Sequence, residues 1–438
     1  MRPHSIILLQ LCCGIAAAQS WDPLSTISTT YTQILSPVSF DAANNAWVEI
    51  ADFQGNAALA QSTGTSGAWQ PPVLVPGASS VIMVVTPASV VHLIRQAPNG
   101  SNTDIAWNRY IPGTGFTTPQ VLYSDPPGVL PRADAVLDAS GNLVMVFEGP
   151  GSTDSLPHAW SMVYTAATGT WGAAREISPP GQDAWAVTLG RSADGNHILL
   201  LYESIYNVPY GLYSQEYLAG SQTWAAPKQV PGTVHAADAA GGRLPFALDN
   251  AGNATLITPL SSVQRFPGQF PLMALYGFRY EGGKWGPGTQ LSNWSRTTVV
   301  GPVPIINSSG VVLAPAFISS DPSGVTVGVY RFTPGQGWQT EAKLQATSFA
   351  GNLAVAWFGS SGQAVLVYVV IVDNSTEQLV SVMNTNGIWS SLVPVAMPGG
   401  FIHQVSLGTA PTGQVVAVLD YGPNGGANVA TAATWLRP

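Results

Sequence analysis

Apolar residues along this chain fall in short runs, and each run follows a small polar turn. Leu143-Val-Met-Val-Phe147 comes directly after Asp138-Ala-Ser-Gly-Asn142, and His197-Ile-Leu-Leu-Leu-Tyr202 comes after Ala193-Asp-Gly-Asn196. The turns Asp249-Asn-Ala-Gly-Asn253, Ser308-Ser-Gly310, Ser360-Ser-Gly362 and Pro411-Thr-Gly413 repeat the arrangement, with degenerate copies at Asn44-Asn45 and Pro87-Ala-Ser89. Gly and Asn tolerate the positive φ of tight hairpins, so these segments read as hairpin turns. The runs are apolar at every position and do not alternate, as in Leu143 to Phe147 and Ala364 to Val370. A strand covered on both faces needs that pattern.

A second marker recurs at the same spacing. An aromatic residue follows a turn in Gly67-Ala-Trp69, Gly115-Phe116, Gly169-Thr-Trp171, Gln222-Thr-Trp224, Gly283-Lys-Trp285, Gln336-Gly-Trp338 and Gly387-Ile-Trp389. A short extended stretch follows, often with proline and then an aliphatic residue, as in Ala225-Ala-Pro-Lys-Gln-Val230. Trp21 opens with the same grammar, and Trp435 stands where the next anchor is due. The interval between them divides into eight units of about 52 residues.

Each unit reads as four strands, and the fold expected is an all-β propeller of eight four-stranded blades. The degenerate turns at Asn44 and Ser89 make a seven-bladed ring the nearest competitor. Two stacked β-sandwiches explain the repeat less well. The stretch at Trp21 supplies a lone fourth strand, and residues 403–435 supply three strands lacking one, so the N-terminal strand is expected to close the ring.

The turn-aromatic-proline grammar resembles secreted propellers of the sialidase-like and bacterial lectin-like type across residues 21–438. The resemblance implies a fold. The sialidase Asp-box spacing, Ser-x-Asp-x-Gly-x-x-Trp, is absent; Ser192-Ala-Asp-Gly195 comes nearest, without the tryptophan.

Residues 1–20 read as a signal peptide, with Arg2, the apolar start at Ile6 to Leu11, and Ala16-Ala-Ala18 before the cut. A secreted or periplasmic protein follows, with 21–438 a single propeller domain and a monomer. Cys12 and Cys13 leave with the leader, so neither disulfide nor thiol chemistry is expected afterwards. Charged residues make up only 9% of the chain and the net charge is −8, which argues against nucleic acid as a partner. No later apolar stretch is long enough to span a membrane.

Loop length points to units three to five. The unit from Trp224 to Trp285 is the longest, with extended loops at Pro231 to Gly242 and Pro259 to Pro271. Glu148 and Glu203 end second strands, with Asp52 and Asp420 at similar places. Tyr206, Tyr210, Phe266 and Phe270 offer aromatic platforms. Arg132, Arg243 and Arg296 precede first strands and suit a carboxylate, which a guanidinium grips through two bonds. His158 and His235 fall in predicted loops of the same sector. Charges at strand ends in a ring most often form ion pairs between neighbouring blades, which is the competing account of these residues. Histidine spacing matches no metal motif, and no cofactor is expected.

Three functional classes fit. The first is a non-catalytic module binding carbohydrate or another exported ligand. The second is a glycan-active hydrolase or lyase using Glu148 or Glu203 with the arginines. The third is an envelope scaffold for exported proteins.

Overall fold

The computed structural model describes residues 20–64, 67–76, 82–99, 102–125, 132–152, 154, 156–206, 209–233, 243–261, 272–294, 304–320, 324–346, 353–358, 363–373, 376–385, 387–396, 401–422 and 430–436. The leader expected before Trp21 lies outside these residues apart from Ser20.

The apolar runs become the second strands of eight antiparallel sheets. They are Ala46–Ala51, Val91–Asn99, Leu143–Pro150, Ile198–Ser204, Ala254–Ser261, Val312–Ser320, Gln363–Asp373 and Val415–Gly422, in blades 1 to 8. The first strands touch one another from blade to blade. Ala133–Leu137 of blade 3 meets Trp185–Arg191 of blade 4, and Phe401–Thr409 of blade 8 meets Ser39–Phe40 of blade 1. The eight sheets therefore form a ring, an eight-bladed β-propeller.

The non-alternating runs are explained by where the core sits. Eight hydrophobic clusters fill the eight interblade layers, one per interface. In blade 3, Leu143, Met145 and Phe147 face blade 2, while Val144 and Val146 face blade 4. The same alternation places Leu199 and Leu201 against Leu244, Phe246 and Leu248 of blade 5. A strand whose side chains alternate between two buried layers must be apolar throughout.

Three of the polar turns share one mechanism. At Asp138, Oδ1 accepts the backbone N–H of Ser140 (2.9 Å) and Asn142 (2.8 Å), and Oδ2 accepts the Asn142 amide (2.9 Å). Gly141 supplies φ +78°. Asp249 and Asp41 repeat this geometry. In the two degenerate copies Asn44 and Ser89 each take φ +63°, where other blades use glycine. Both turns form, and the count is eight, not seven.

Most fourth strands are broken into two short pieces, such as Thr223–Trp224 and Lys228–Gln229, both paired with Gly211–Leu218. Proline tolerates this outer edge because no ladder partner needs its missing N–H. The ring closes as the sequence predicts. Ser25–Ser28 pairs with Ala430–Leu436, Trp21 bridges to Leu436, and the Asp22 N–H donates to the Trp435 carbonyl at 2.8 Å.

Candidate functional site

Loops leaving second strands and loops joining blades emerge on one face. On that face the first strand of blade 4, Trp185–Arg191, is the spine around which five of the expected site residues gather: Glu148, Glu203, Arg132, Arg243 and Tyr206. It carries a bulge: Ala186 has φ +53°, and the register with blade 4's second strand shifts between Trp185 and Thr188. A non-glycine residue in this region is uncommon and is held here by its neighbours.

Glu148 answers the bulge. Its Oε1 accepts the freed Val187 N–H at 3.4 Å, and its own N–H donates to the Arg132 carbonyl at 2.7 Å. Only 3% of Glu148 is exposed. Burial pushes its carboxyl up to about 7, against the opposing pull of the Arg132 charge and the backbone donors. Glu203 occupies the same position in blade 4, is buried, and stands opposite Trp185 in the strand register. Asp420 occupies it in blade 8, where Oδ2 accepts the Ile34 N–H at 3.0 Å and burial raises its carboxyl to about 6. A carboxylate here serves the first strand of the following blade in both blade 3 and blade 8.

Trp185 and Tyr206 form the aromatic part of the face. Their rings are tilted at 60° with centroids 5.7 Å apart, and Tyr206 is 61% exposed. Asp183, fully buried, fixes both. Its Oδ2 accepts the Trp185 indole N–H (2.9 Å) and the N–H groups of Ile205 (2.8 Å) and Tyr206 (3.1 Å), while Oδ1 accepts the Ser204 hydroxyl (2.8 Å). Neither Asp183 nor Trp185 was among the expected site residues. Trp185, in Asp183-Ala-Trp185, is no repeat anchor, but neither are Trp47, Trp107, Trp160, Trp294 and Trp357, so the sequence carries no signal that singles it out.

The arginines are distributed differently from a free triad. Arg243 pairs with Asp134, reaching from blade 5 across blade 4 to the first strand of blade 3. The following Leu244 N–H donates to Thr188 Oγ1 at 3.1 Å, which seats Arg243 on the spine. Asp134 also accepts the Leu189 N–H at 2.8 Å; burial raises its carboxyl while Arg243 opposes the rise. Arg243 keeps about half of its side chain exposed (56%), so the pair still presents a cationic edge. Arg132 lies beside Glu148. Arg296 and His235 fall outside the described residues, as do Phe266, Phe270 and most of the two long loops.

His158 is placed differently from the expectation. It belongs to the third strand of blade 3, Pro157–Thr165, and is fully buried. The ladder runs into the segment expected as a loop: Pro157 pairs with Pro150 at its end. Its Nε2 lies 3.1 Å from Asp154 Oδ1, and its Nδ1 lies 2.6 Å from Glu176 and 3.1 Å from the Ser178 hydroxyl. All its polar capacity is used inside the blade. Tyr210 is half-buried, and its carbonyl accepts the Gln229 amide at 2.8 Å. Asp52 sits in an exposed hairpin turn bound to Asn56 and takes no part in the spine.

No family model matches this chain, and no curated protein matches it. Among solved structures it is similar to the polysaccharide lyase Uly1, at 10% identity and a TM-score of 0.50, over 95% of this chain and 91% of that one. It is also similar to an ulvan lyase of a polysaccharide lyase family, at 10% identity and a TM-score of 0.48, over 85% of this chain and 96% of that one. The Aleuria aurantia lectin in complex with Fucα1-6GlcNAc aligns at 17% identity and a TM-score of 0.33, over 75% of this chain and all of the lectin. The likeness to Uly1 concerns the fold alone.

Proposed function

We propose that this chain is an exported carbohydrate-binding propeller without catalytic activity, whose ligand lies on the Trp185–Tyr206 pair. The observation that carries this reading is an exposed tyrosine set against a tryptophan, both fixed through one buried carboxylate, Asp183. An exposed tyrosine ring backed by an indole that is held in place suits the apolar face of a sugar, and fixing the indole and the Tyr206 backbone in advance lowers the entropy cost of binding. The half-exposed Arg243, seated on the same strand through the Leu244–Thr188 bond, offers hydrogen bonds to hydroxyls. Export rests on the leader at Arg2 to Ala18.

One observation favours a second reading, a glycan-cleaving enzyme. A carboxyl held near 7, as Glu148 is, suits general acid–base chemistry at neutral pH. Against it, Glu148 is almost wholly buried and performs the strand-capping task that Asp420 performs in blade 8.

A glycan array with the wild-type protein, Glu148→Gln and Glu203→Gln separates the two. Binding retained by both variants, with no shortening of a bound polysaccharide by wild type, is the expected result. Shortening by wild type that Glu148→Gln abolishes would replace this reading with the enzymatic one.

A further inference from the structure

In blades 3 to 7 one third-strand residue stands opposite the fourth-strand tryptophan: Tyr164, Tyr217, Tyr280, Phe332 and Asn384. At four interfaces the residue just before this position in the preceding blade crosses to it. Arg109 of blade 2 donates to the Tyr164 hydroxyl at 2.8 Å and lies over its ring. Glu216 of blade 4 accepts from the Tyr280 hydroxyl. Arg279 of blade 5 lies over the Phe332 ring at 4.9 Å, and Arg331 of blade 6 donates to Asn384 Oδ1 at 3.2 Å.

Blade 3 breaks the series with Val163. Its side chain packs into the layer against blade 4 but has no polar end to bridge with. The Tyr217 hydroxyl is accordingly buried without a hydrogen-bond partner among the described residues. Where the bridge is missing, a groove of about 350 Å³ opens between blades 3 and 4, lined by Val163, Thr165, Gly172, Arg175, Thr223 and Trp224. That volume lies within the range of small-ligand sites. Arg175 pairs in register with Ser161, so it shares a sheet face with Val163. It is exposed and has no ion pair among the described residues. Its neighbour Glu176 points to the opposite face, toward His158 and the Ser152 N–H.

We propose that this groove is a second ligand site, which takes a carboxylated sugar ring of the uronic acid class. The ring lies against Trp224 and Val163, and the carboxylate meets the Arg175 guanidinium. The site is on the outer flank of the ring and stands independently of the Trp185–Tyr206 reading.

Saturation-transfer NMR with D-glucuronate, D-galacturonate, D-glucose and D-galactose tests it on wild type, Tyr206→Ala, Val163→Met and Arg175→Gln. Transfer to the uronates is expected in wild type and in Tyr206→Ala, with at least tenfold weaker binding of the neutral sugars. It should be lost in Val163→Met, which fills the groove without adding charge, and in Arg175→Gln. Val163→Arg should close the groove by a bridge to Tyr217 like that of Arg109 to Tyr164, and raise the thermal midpoint. No uronate transfer in wild type, transfer surviving Val163→Met and Arg175→Gln, or a lower midpoint for Val163→Arg would each overturn the proposal.

Discussion

Asp183 accepts the indole N–H of Trp185 at 2.9 Å, two residues along the chain, and thereby fixes the ring that backs Tyr206. The same buried carboxylate gathers three further donors from Ser204, Ile205 and Tyr206. It is the joint between the first strand of blade 4 and the loop leaving its second strand.

Asp183→Ala leaves four donors without their acceptor in a buried place. The expected cost is about 3–5 kcal/mol, since unsatisfied buried groups incur their full desolvation penalty. Chemical denaturation should register this as a lower midpoint, and glycan affinity should fall with it. A loss below about 1 kcal/mol would mean that the loop is held by other contacts.

The buried carboxyls give the protein an unusual pH dependence. Glu148 rises from 4.5 to about 7 on folding and Asp420 from 3.8 to about 6. Between the ordinary and raised values the folded chain keeps protons that the unfolded chain releases. Stability therefore falls as pH rises from about 4 to about 7, and the loss is complete above that. Asp194 works the other way: hydrogen bonds from Ser192 and Asn196 hold it near 2, and its contribution is lost only as pH falls below 3.8. Maximum stability is expected near pH 4–5. Glu148→Gln keeps an acceptor for the Val187 N–H, so it should raise the thermal midpoint at pH 8, by roughly 1–3 kcal/mol in stability, and change little at pH 4. An equal effect at both pH values would contradict the assignment.

Ring closure depends on a short strand. Ile27 packs into the layer between blades 8 and 1, and Trp21 donates to the Ser381 hydroxyl of blade 7 at 3.0 Å. Ile27→Ala should cost about 2 kcal/mol, near the low end for buried truncations. Removing residues 20–28 exposes Ala430–Leu436 as a long apolar edge, and association by edge pairing should follow. Size-exclusion chromatography of the truncated chain tests this; a stable monomer with wild-type melting would contradict it.

The parts of the molecule that repeat were legible in the sequence. The aromatic anchors and the small polar turns recur because every blade solves one packing problem, and the count of repeats leaves Trp21 as the strand that closes the ring. Asn44 and Ser89 looked degenerate because residue type was being read, while the structure preserves φ.

The site was less legible for the same reason. Glu148, Glu203, Arg132, Arg243 and Tyr206 do converge on blade 4's first strand, but Arg243 takes its partner from Asp134, two blades away around the ring. No spacing in the chain announces such a contact. His158 was expected in a loop, whereas it lies in the third strand, which begins at Pro157. Trp185 was overlooked because several tryptophans stand outside the repeat, and only its contacts with Asp183 and Tyr206 set it apart.

The most direct test of the carbohydrate-binding reading is isothermal titration of the best array ligand into wild type and Tyr206→Ala. Tyr206 is exposed and its ring hydrogen-bonds nothing among the described residues, so the variant should melt as wild type does while binding at least tenfold more weakly. Equal affinity for the two proteins would contradict the account and move the ligand away from the Trp185–Tyr206 pair.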